Sequence, residues 1–323
     1  MRILVTGAAG FIGFHLSLEL LKKGHEVFGL DNINNYYSKK YKKRRIKILS
    51  KKKKFKFLNQ DLRFIKKLKK KLIKIKPPVI YHLASQPGIM YSFSNPEKYL
   101  SNNIIATKNL IKVSKKFQLK KFYFTSSSSV YGNKKKYPIK EISKLAPLNY
   151  YADTKKKCEE ILIKEFSKKD VDLKIFRPFT VYGPYARPDM FFIKYFNSIK
   201  KKKIFELYNF GNYERDFTYV EDVAKAMCNF LKIKKNENIF YNICSSKPVK
   251  LKYLIKLINK FLKKNIEVKY LPKRKGEMIK TFGDNQKLKS TLKKIKFTKI
   301  EAGIKKTIKW YKDYKYKNEL TFN

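Results

Sequence analysis

Three glycines at fixed spacing, Gly7, Gly10 and Gly13, constrain this chain more than any other feature. They follow directly on Arg2-Ile3-Leu4-Val5-Thr6, an apolar run of strand length. Phe11 to Lys23 then carries Ile12, Leu16 and Leu20 at turn spacing and stops at Gly24, so it reads as a helix. Glu26 to Leu30 is a second short strand and ends at Asp31. Strand, glycine turn, helix, strand and acid, in that order, make a dinucleotide-binding unit. Gly7 permits a tight turn, Gly10 lets backbone approach a pyrophosphate, and Gly13 lets helix pack on strand. The start of the helix, at Phe11 and Ile12, offers free N–H groups and a partial positive charge to phosphates. Asp31, 18 residues past Gly13, is placed to accept from a ribose diol, which favours NAD over NADP.

Strands and helices alternate through Phe176. Basic helical residues Lys39 to Leu49 lead to a strand at Phe55 to Leu58 and then to Asp61-Leu62-Arg63, where an acid past a strand end can reach an adenine amine. Phe64 to Ile75 is an amphipathic helix and Pro78 to Ala84 a strand, with Leu83, Ala84 and Ser85 giving room at its carboxyl end. Pro96 to Phe117 reads as one long helix, Phe122 to Thr125 as a strand, Tyr151 to Phe166 as a helix and Val171 to Phe176 as a strand. The fold class is therefore α/β, a Rossmann-type doubly wound parallel sheet, with ligands at the carboxyl ends of its strands. Past Arg177 the rhythm breaks at Pro178, Pro184 and Pro188. We expect residues 1–178 to form the cofactor domain, with 215–245 adding to it, and 179–323 to form a smaller α/β substrate lobe. Helices are expected at Met190 to Lys201, Val220 to Lys232, Leu251 to Lys263 and Ile300 to Tyr314, and strands at Glu214 to Tyr219 and Ile239 to Ile243.

Composition narrows the class. A hydrophobic share of 43% over 323 residues is that of a globular chain with a proper core. No apolar run reaches the roughly 18 residues of a membrane span, and the chain opens in a strand, so neither membrane insertion nor a signal peptide is expected. Cys158, Cys228 and Cys244 are odd in number, widely spaced and lack a CxxC, which predicts reduced thiols in a cytoplasm and no metal site. The formal charge of +53 comes from lysine spread along the whole chain, so no specific nucleic-acid site is expected. Only eight of the 78 cationic residues are Arg, and Arg177, Arg187, Arg215 and Arg274 fall in motif-like stretches where a planar fork has a use.

Tyr151-Ala152-Asp153-Thr154-Lys155 sets a phenol and an ammonium on one helix face. A nearby ammonium and an oxidised nicotinamide lower a phenol's pKa, making Tyr151 a general base on a substrate hydroxyl. Ser127, at the preceding strand end, can bond the same hydroxyl, and Lys155 can also hold the nicotinamide ribose.

With these pieces in place the chain resembles the extended short-chain dehydrogenase/reductase family over essentially its full length. The resemblance rests on the glycine turn, Asp61-Leu62-Arg63, Leu83-Ala84-Ser85, Ser126 to Gly132, Tyr151 to Lys155 and Arg177 to Pro184. It implies bound NAD, with Asn32 and Asn103 among its contacts, a Ser127–Tyr151–Lys155 catalytic set, a nucleotide-sugar lobe and a homodimer through a four-helix bundle. Asn103-Ile104-Ile105-Ala106-Thr107 departs from the family's Asn-x-x-Gly-Thr only in Ala106. Ser128 and Ser129 stand where the family's dehydratases and decarboxylases carry an acid, which favours simple epimerisation. Thr180, the run Tyr182 to Met190 and the loop Asp31 to Tyr37 look like UDP-glucuronate 4-epimerases. By the same resemblance Ser128, Thr180 and Arg187 contact the sugar, Arg215 the diphosphate, and Arg274 and Glu277 the uridine. UDP-glucose or UDP-N-acetylglucosamine 4-epimerisation is the alternative within the family, and a non-catalytic NAD- and polyanion-binding protein the alternative outside it.

Overall fold

The apolar runs of the chain resolve into a layered sheet because its strands are apolar on both faces. The computed structural model describes residues 1–166, 170–237 and 239–322. In chain order its strands are β1 (Arg2–Thr6), β2 (Glu26–Asp31), β3 (Phe55–Asn59), β4 (Val79–His82), β5 (Lys121–Thr125), β6 (Asp172–Pro178), β7 (Thr180–Tyr182), β8 (Phe205–Tyr208), β9 (Glu214–Tyr219), β10 (Phe240–Ile243), β11 (Pro248–Lys250) and β12 (Val268–Leu271). Seven of them pair in the order β10-β6-β5-β4-β1-β2-β3, all parallel. Alternate residues feed two cores. Ile3, Val5, Val79 and Tyr81 face one helical layer, while Leu4, Ile80, Phe122 and Phe124 face the other. Both faces of a parallel sheet are thus covered. The strand order reverses between β1 and β4, and that crevice is where such sheets bind ligands.

Helix α1 (Phe11–Lys22) follows β1, α2 (Lys39–Ser50) follows β2, and α3 (Ile65–Ile75) follows β3. Of residues 215–245, the helix Val220–Asn229 packs on α1 and β10 closes the parallel sheet beside β6. β9 instead pairs with β7 and β11 in a separate three-stranded sheet, and β8 pairs with β12. The short strands β7, β8, β11 and β12 have no counterpart among the sequence expectations. Each is only three or four residues long, too short for alternation to be legible.

Two elements differ from expectation. The strand expected to run to Ala84 ends at His82, because Leu83 and Ala84 turn their N–H groups onto the Thr6 hydroxyl, at 3.2 and 3.1 Å. The long helix expected over Pro96 to Phe117 is three pieces: Pro96–Tyr99, a π-helical stretch Leu100–Ile105, and Ala106–Ser114. At this wide turn the Asn103 carbonyl accepts from the Ala106 N–H and also from the Thr107 hydroxyl, at 2.6 Å. Such bulges concentrate near functional sites.

Candidate active site

A cavity of about 450 Å³ opens at the carboxyl ends of β1, β2, β4 and β5. Its floor is the glycine turn. Gly7 has φ +75°, and a Cβ there would lie 2.8 Å from the Ala84 nitrogen. A Cβ on Gly10 would lie 2.9 Å from the Gly7 carbonyl oxygen, and one on Gly13 would overlap that oxygen. Gly10, Phe11, Ile12 and Gly13 present the helix start to the cavity.

Asp31 ends β2 and braces the turn. Its carboxylate accepts from the Ala9 N–H at 3.1 Å and the Ile33 N–H at 2.8 Å. Burial pushes its pKa up, and the Lys42 ammonium is the leading charge opposing that. Asn32 donates to Asp61 at 2.9 Å, and Arg63 forks onto the same carboxylate at 3.0 and 2.7 Å. Burial pushes the Asp61 carboxyl up, but the bonds from Arg63 and Asn32 outweigh it and hold it below its ordinary value. Asp31, Asn32, Asp61, Leu62, Leu83, Ala84 and Ser85 all line the cavity.

Ser127, Ser128, Tyr151 and Lys155 line it from the other side. Tyr151 and Lys155 lie one turn apart near the start of the helix Tyr150–Phe166. Lys155 donates to the Thr125 carbonyl at 2.8 Å and sits 4.7 Å from the Phe124 ring centre. Burial pulls its pKa down to about 8. Burial pushes Tyr151 above its ordinary value, with the Ser127 hydroxyl and the Arg187 charge pulling the other way. The sequence expectation was a lowered phenol. In the protein alone burial dominates.

The remaining wall comes from residues past Arg177: Thr180, Arg187, Arg215 and Glu277. Thr180, Arg215 and Glu277 also line an adjoining cavity of about 630 Å³, so the two spaces meet. Arg274 lies in that second cavity, its guanidinium 3.3 Å from the Tyr208 ring centre and 3.9 Å from Glu277. Arg215 donates to the Glu214 and Ile279 carbonyls at 3.0 and 3.1 Å and lies 3.7 Å from Glu277.

Two expected contacts stand differently. Asn103 does not line the cavity. It lies behind the wall, accepting from the Gln86 N–H at 2.7 Å and donating to the Thr154 hydroxyl at 2.9 Å. Arg187 reaches the cavity but is already forked onto Asp189, at 2.9 and 3.1 Å, and the Tyr36 hydroxyl bonds the same carboxylate at 3.2 Å.

A family model described as NAD dependent epimerase/dehydratase matches residues 3–244. The chain belongs to this family. The NAD-dependent epimerase/dehydratase assignment covers both the glycine turn and the Tyr151 helix, and the chain is accordingly an NAD-dependent enzyme. The cradle that any Cβ would fill, closed by the half-buried carboxylate of Asp31, fits that cofactor. A UDP-glucuronate 4-epimerase of Thermodesulfobacterium geofontis is 34% identical over 312 residues, 96% of each chain. The crystal structure of UDP-glucuronic acid 4-epimerase from Bacillus cereus, in complex with UDP-glucuronic acid and NAD, superposes with a TM-score of 0.91. It is 32% identical, covering 97% of this chain and 99% of that one. A UDP-N-acetylglucosamine 4-epimerase from Methanobrevibacter ruminantium, in complex with UDP-N-acetylmuramic acid, superposes with a TM-score of 0.86 at 28% identity, covering 96% and 97%.

Sequence reasoning missed several wall residues of this epimerase/dehydratase, among them Lys42, Gln60, Met278 and Thr281. Lys42 is 6% exposed and donates to the Asn34 carbonyl at 2.8 Å. Nothing in the sequence separates it from the lysines around it; burial alone does. Among the described residues no helix is long and apolar enough to cross a membrane, and no three His, Cys, Asp or Glu gather as metal ligands. Cys158, Cys228 and Cys244 are free and buried.

Proposed function

We propose that this enzyme interconverts UDP-glucuronate and UDP-galacturonate by epimerisation at C4. The observation that carries the reading is one continuous space. It joins the glycine cradle, the Tyr151–Lys155 pair and the arginines of the second lobe. Residues 1–178, with the helix and strand of 220–243, serve the cofactor, and the rest serves the nucleotide sugar. NAD, when bound, accepts and returns a hydride. Tyr151 takes the proton from the C4 hydroxyl as general base and later returns it. Ser127 bonds that hydroxyl, and the Lys155 ammonium, one helix turn away, favours the phenolate. Between the two transfers the 4-keto sugar turns about its diphosphate link, held there by Arg215, while Arg274 and Glu277 hold the uridine. Ser128, Thr180 and Arg187 read the C6 carboxylate. Ser128 and Ser129 supply no acid to drive elimination, which keeps the product an isomer. The homodimer we assign uses the outer faces of 96–114 and Tyr150–Phe166, where Leu100, Ile105 and Tyr150 remain exposed.

One observation favours a second reading. Asp189 already answers the Arg187 charge, and a site whose fork stays so paired suits the neutral C6 group of UDP-glucose or UDP-N-acetylglucosamine. Incubation of purified protein with each of the three UDP-sugars, with products resolved by chromatography and mass, separates the two. An isomer of unchanged mass from UDP-glucuronate alone supports the first reading. Conversion of a neutral sugar alone replaces it with the second. A product lighter by CO₂ overturns the inference from Ser128 and Ser129.

A further inference from the structure

A second cleft, of about 470 Å³, lies outside the active cavity between α2 and the helix Ile300–Asp313. One wall is a stripe of α2 at helical spacing, Arg44, Lys47 and Ile48, continued by Lys51 just past its end. The other is aromatic: Tyr185, Trp310, Tyr314 and Tyr316, with Trp310 5.1 Å from the Tyr185 ring and 5.2 Å from the Tyr314 ring. Lys315 adds a further cation, and Asp313 is the single acid of the lining. The Arg44 charge is answered by Glu319 at 2.6 Å, with its guanidinium 3.0 Å over Tyr316. Lys47, Lys51 and Lys315 make no ion pair among the described residues, and all three are exposed. Aromatic faces beside uncompensated cations match a ligand with a flat ring and a phosphate, and the volume suits a small molecule.

The cleft is wired to the active cavity. Tyr185, whose ring forms part of the wall, has φ +59°, and its carbonyl accepts from Arg45 at 2.7 Å. The same guanidinium bonds the Ala9 carbonyl in the glycine turn at 2.7 Å and the Tyr37 hydroxyl at 2.6 Å. Two residues beyond Tyr185 is Arg187, in the wall of the main cavity.

We propose that this cleft is a second binding site for a nucleoside phosphate, and that Tyr185 transmits its occupancy to Arg187. The site stands independently of the substrate assignment; only its effect on turnover rests on Arg187 contacting the sugar.

Trp310 is the sole tryptophan of the chain, so its fluorescence reports on this cleft directly. The experiment titrates ATP into protein saturated with NAD and UDP-glucuronate, which fill the main cavity. Saturable quenching is expected, and Lys47→Glu/Lys51→Glu weakens it about tenfold or more, since each reversal replaces an attraction by a repulsion. The double variant keeps its basal turnover, as both lysines lie outside the active cavity. No quenching, or equal quenching in the variant, overturns the site. Pyrophosphate binding as tightly as ATP overturns the aromatic half of the recognition. A change in KM for UDP-glucuronate on adding ATP, absent in the variant, supports the coupling; quenching without that change overturns the coupling alone. If no UDP-sugar is turned over, the titration still reads the cleft, so failure of the substrate assignment is distinguishable from failure of the site.

Discussion

Arg177 on β6 and Glu159 on the helix Tyr150–Phe166 form a buried, two-pronged ion pair, with contacts of 3.0 and 2.6 Å and both side chains 2% exposed. Arg177 also donates to the Tyr131 hydroxyl and the Glu141 carbonyl, each at 3.0 Å. The pair therefore locks the helix that carries Tyr151 to the strand beside it. Removing one partner leaves a buried charge unanswered. Glu159→Ala is expected to cost about 3–5 kcal/mol, and Arg177→Met combined with Glu159→Leu markedly less. Urea unfolding of the two proteins checks this. Equal losses would mean that geometry, not charge, is what the pair supplies.

Acid should destabilise the fold partly through His82. The ring is fully buried between the Thr6 and Thr107 hydroxyls, at 2.8 and 2.9 Å, and burial, with the Lys155 charge second, lowers its pKa to about 3. The unfolded chain takes up this proton near pH 6.5, and the folded chain only near 3. Stability attributable to His82 is thus complete above about pH 6.5 and falls by about 1.4 kcal/mol per pH unit below it. His15, lowered to about 4 by burial, acts in the same sense. Asp216, raised to about 6 by burial, acts in the opposite sense. The readout is therefore a difference: between pH 6.5 and 5 the unfolding free energy of His82→Gln should fall less steeply than that of the native protein, by one proton's worth.

Gly13→Ala places a methyl group against the Gly7 carbonyl oxygen, which is backbone and cannot step aside. The turn must open, at a cost of about 1–3 kcal/mol. Reduced NAD retention, measured by absorbance after desalting and by calorimetry, is the expected result. Native-like retention would show that the turn has slack.

Thr180 lines the main cavity at the first residue of β7. If it helps hold a C6 carboxylate, Thr180→Ala should release that group in the 4-keto stage and raise the share of decarboxylated, pentose-type product. Mass analysis of the nucleotide products with UDP-glucuronate decides it; an unchanged product ratio removes Thr180 from that role.

Charge spread over the whole surface should steer an anionic substrate. With a formal charge of +53, kcat/KM for a UDP-sugar is expected to fall as sodium chloride rises, while kcat holds. A decrease of about tenfold between low and high salt would match long-range steering, which screening removes beyond about 10 Å at 0.1 M. A flat profile would leave the lysines as solvated surface.

The local parts of the site were legible because they depend on neighbours in sequence. Gly7, Gly10 and Gly13 are needed where backbone must bend and approach closely, and Tyr151 and Lys155 share a face by helix geometry alone. The parallel sheet followed from apolar runs alternating with helices. Asn103 was legible as a motif, while the partners of its side chain, Gln86 and Thr154 behind the wall, were not. At its π-helical turn the Asn103 carbonyl takes the Thr107 hydroxyl, a contact that periodicity does not register.

The sequence by itself determined the glycine cradle, the acid at the end of β2, the phenol–ammonium pair and the order of strands and helices. Each is set by spacings of a few residues, within reach of backbone geometry. Only the tertiary structure decided what answers each charge. Arg187 forks onto Asp189 rather than standing bare, Arg177 is consumed by Glu159, and Lys42 alone of its neighbours on α2 turns into the cavity. It also decided that burial, not the nearby ammonium, governs Tyr151 in the protein alone. The physical reason is common to all four. Desolvation and pairing depend on which surfaces meet across the fold, and a linear spacing does not carry that information.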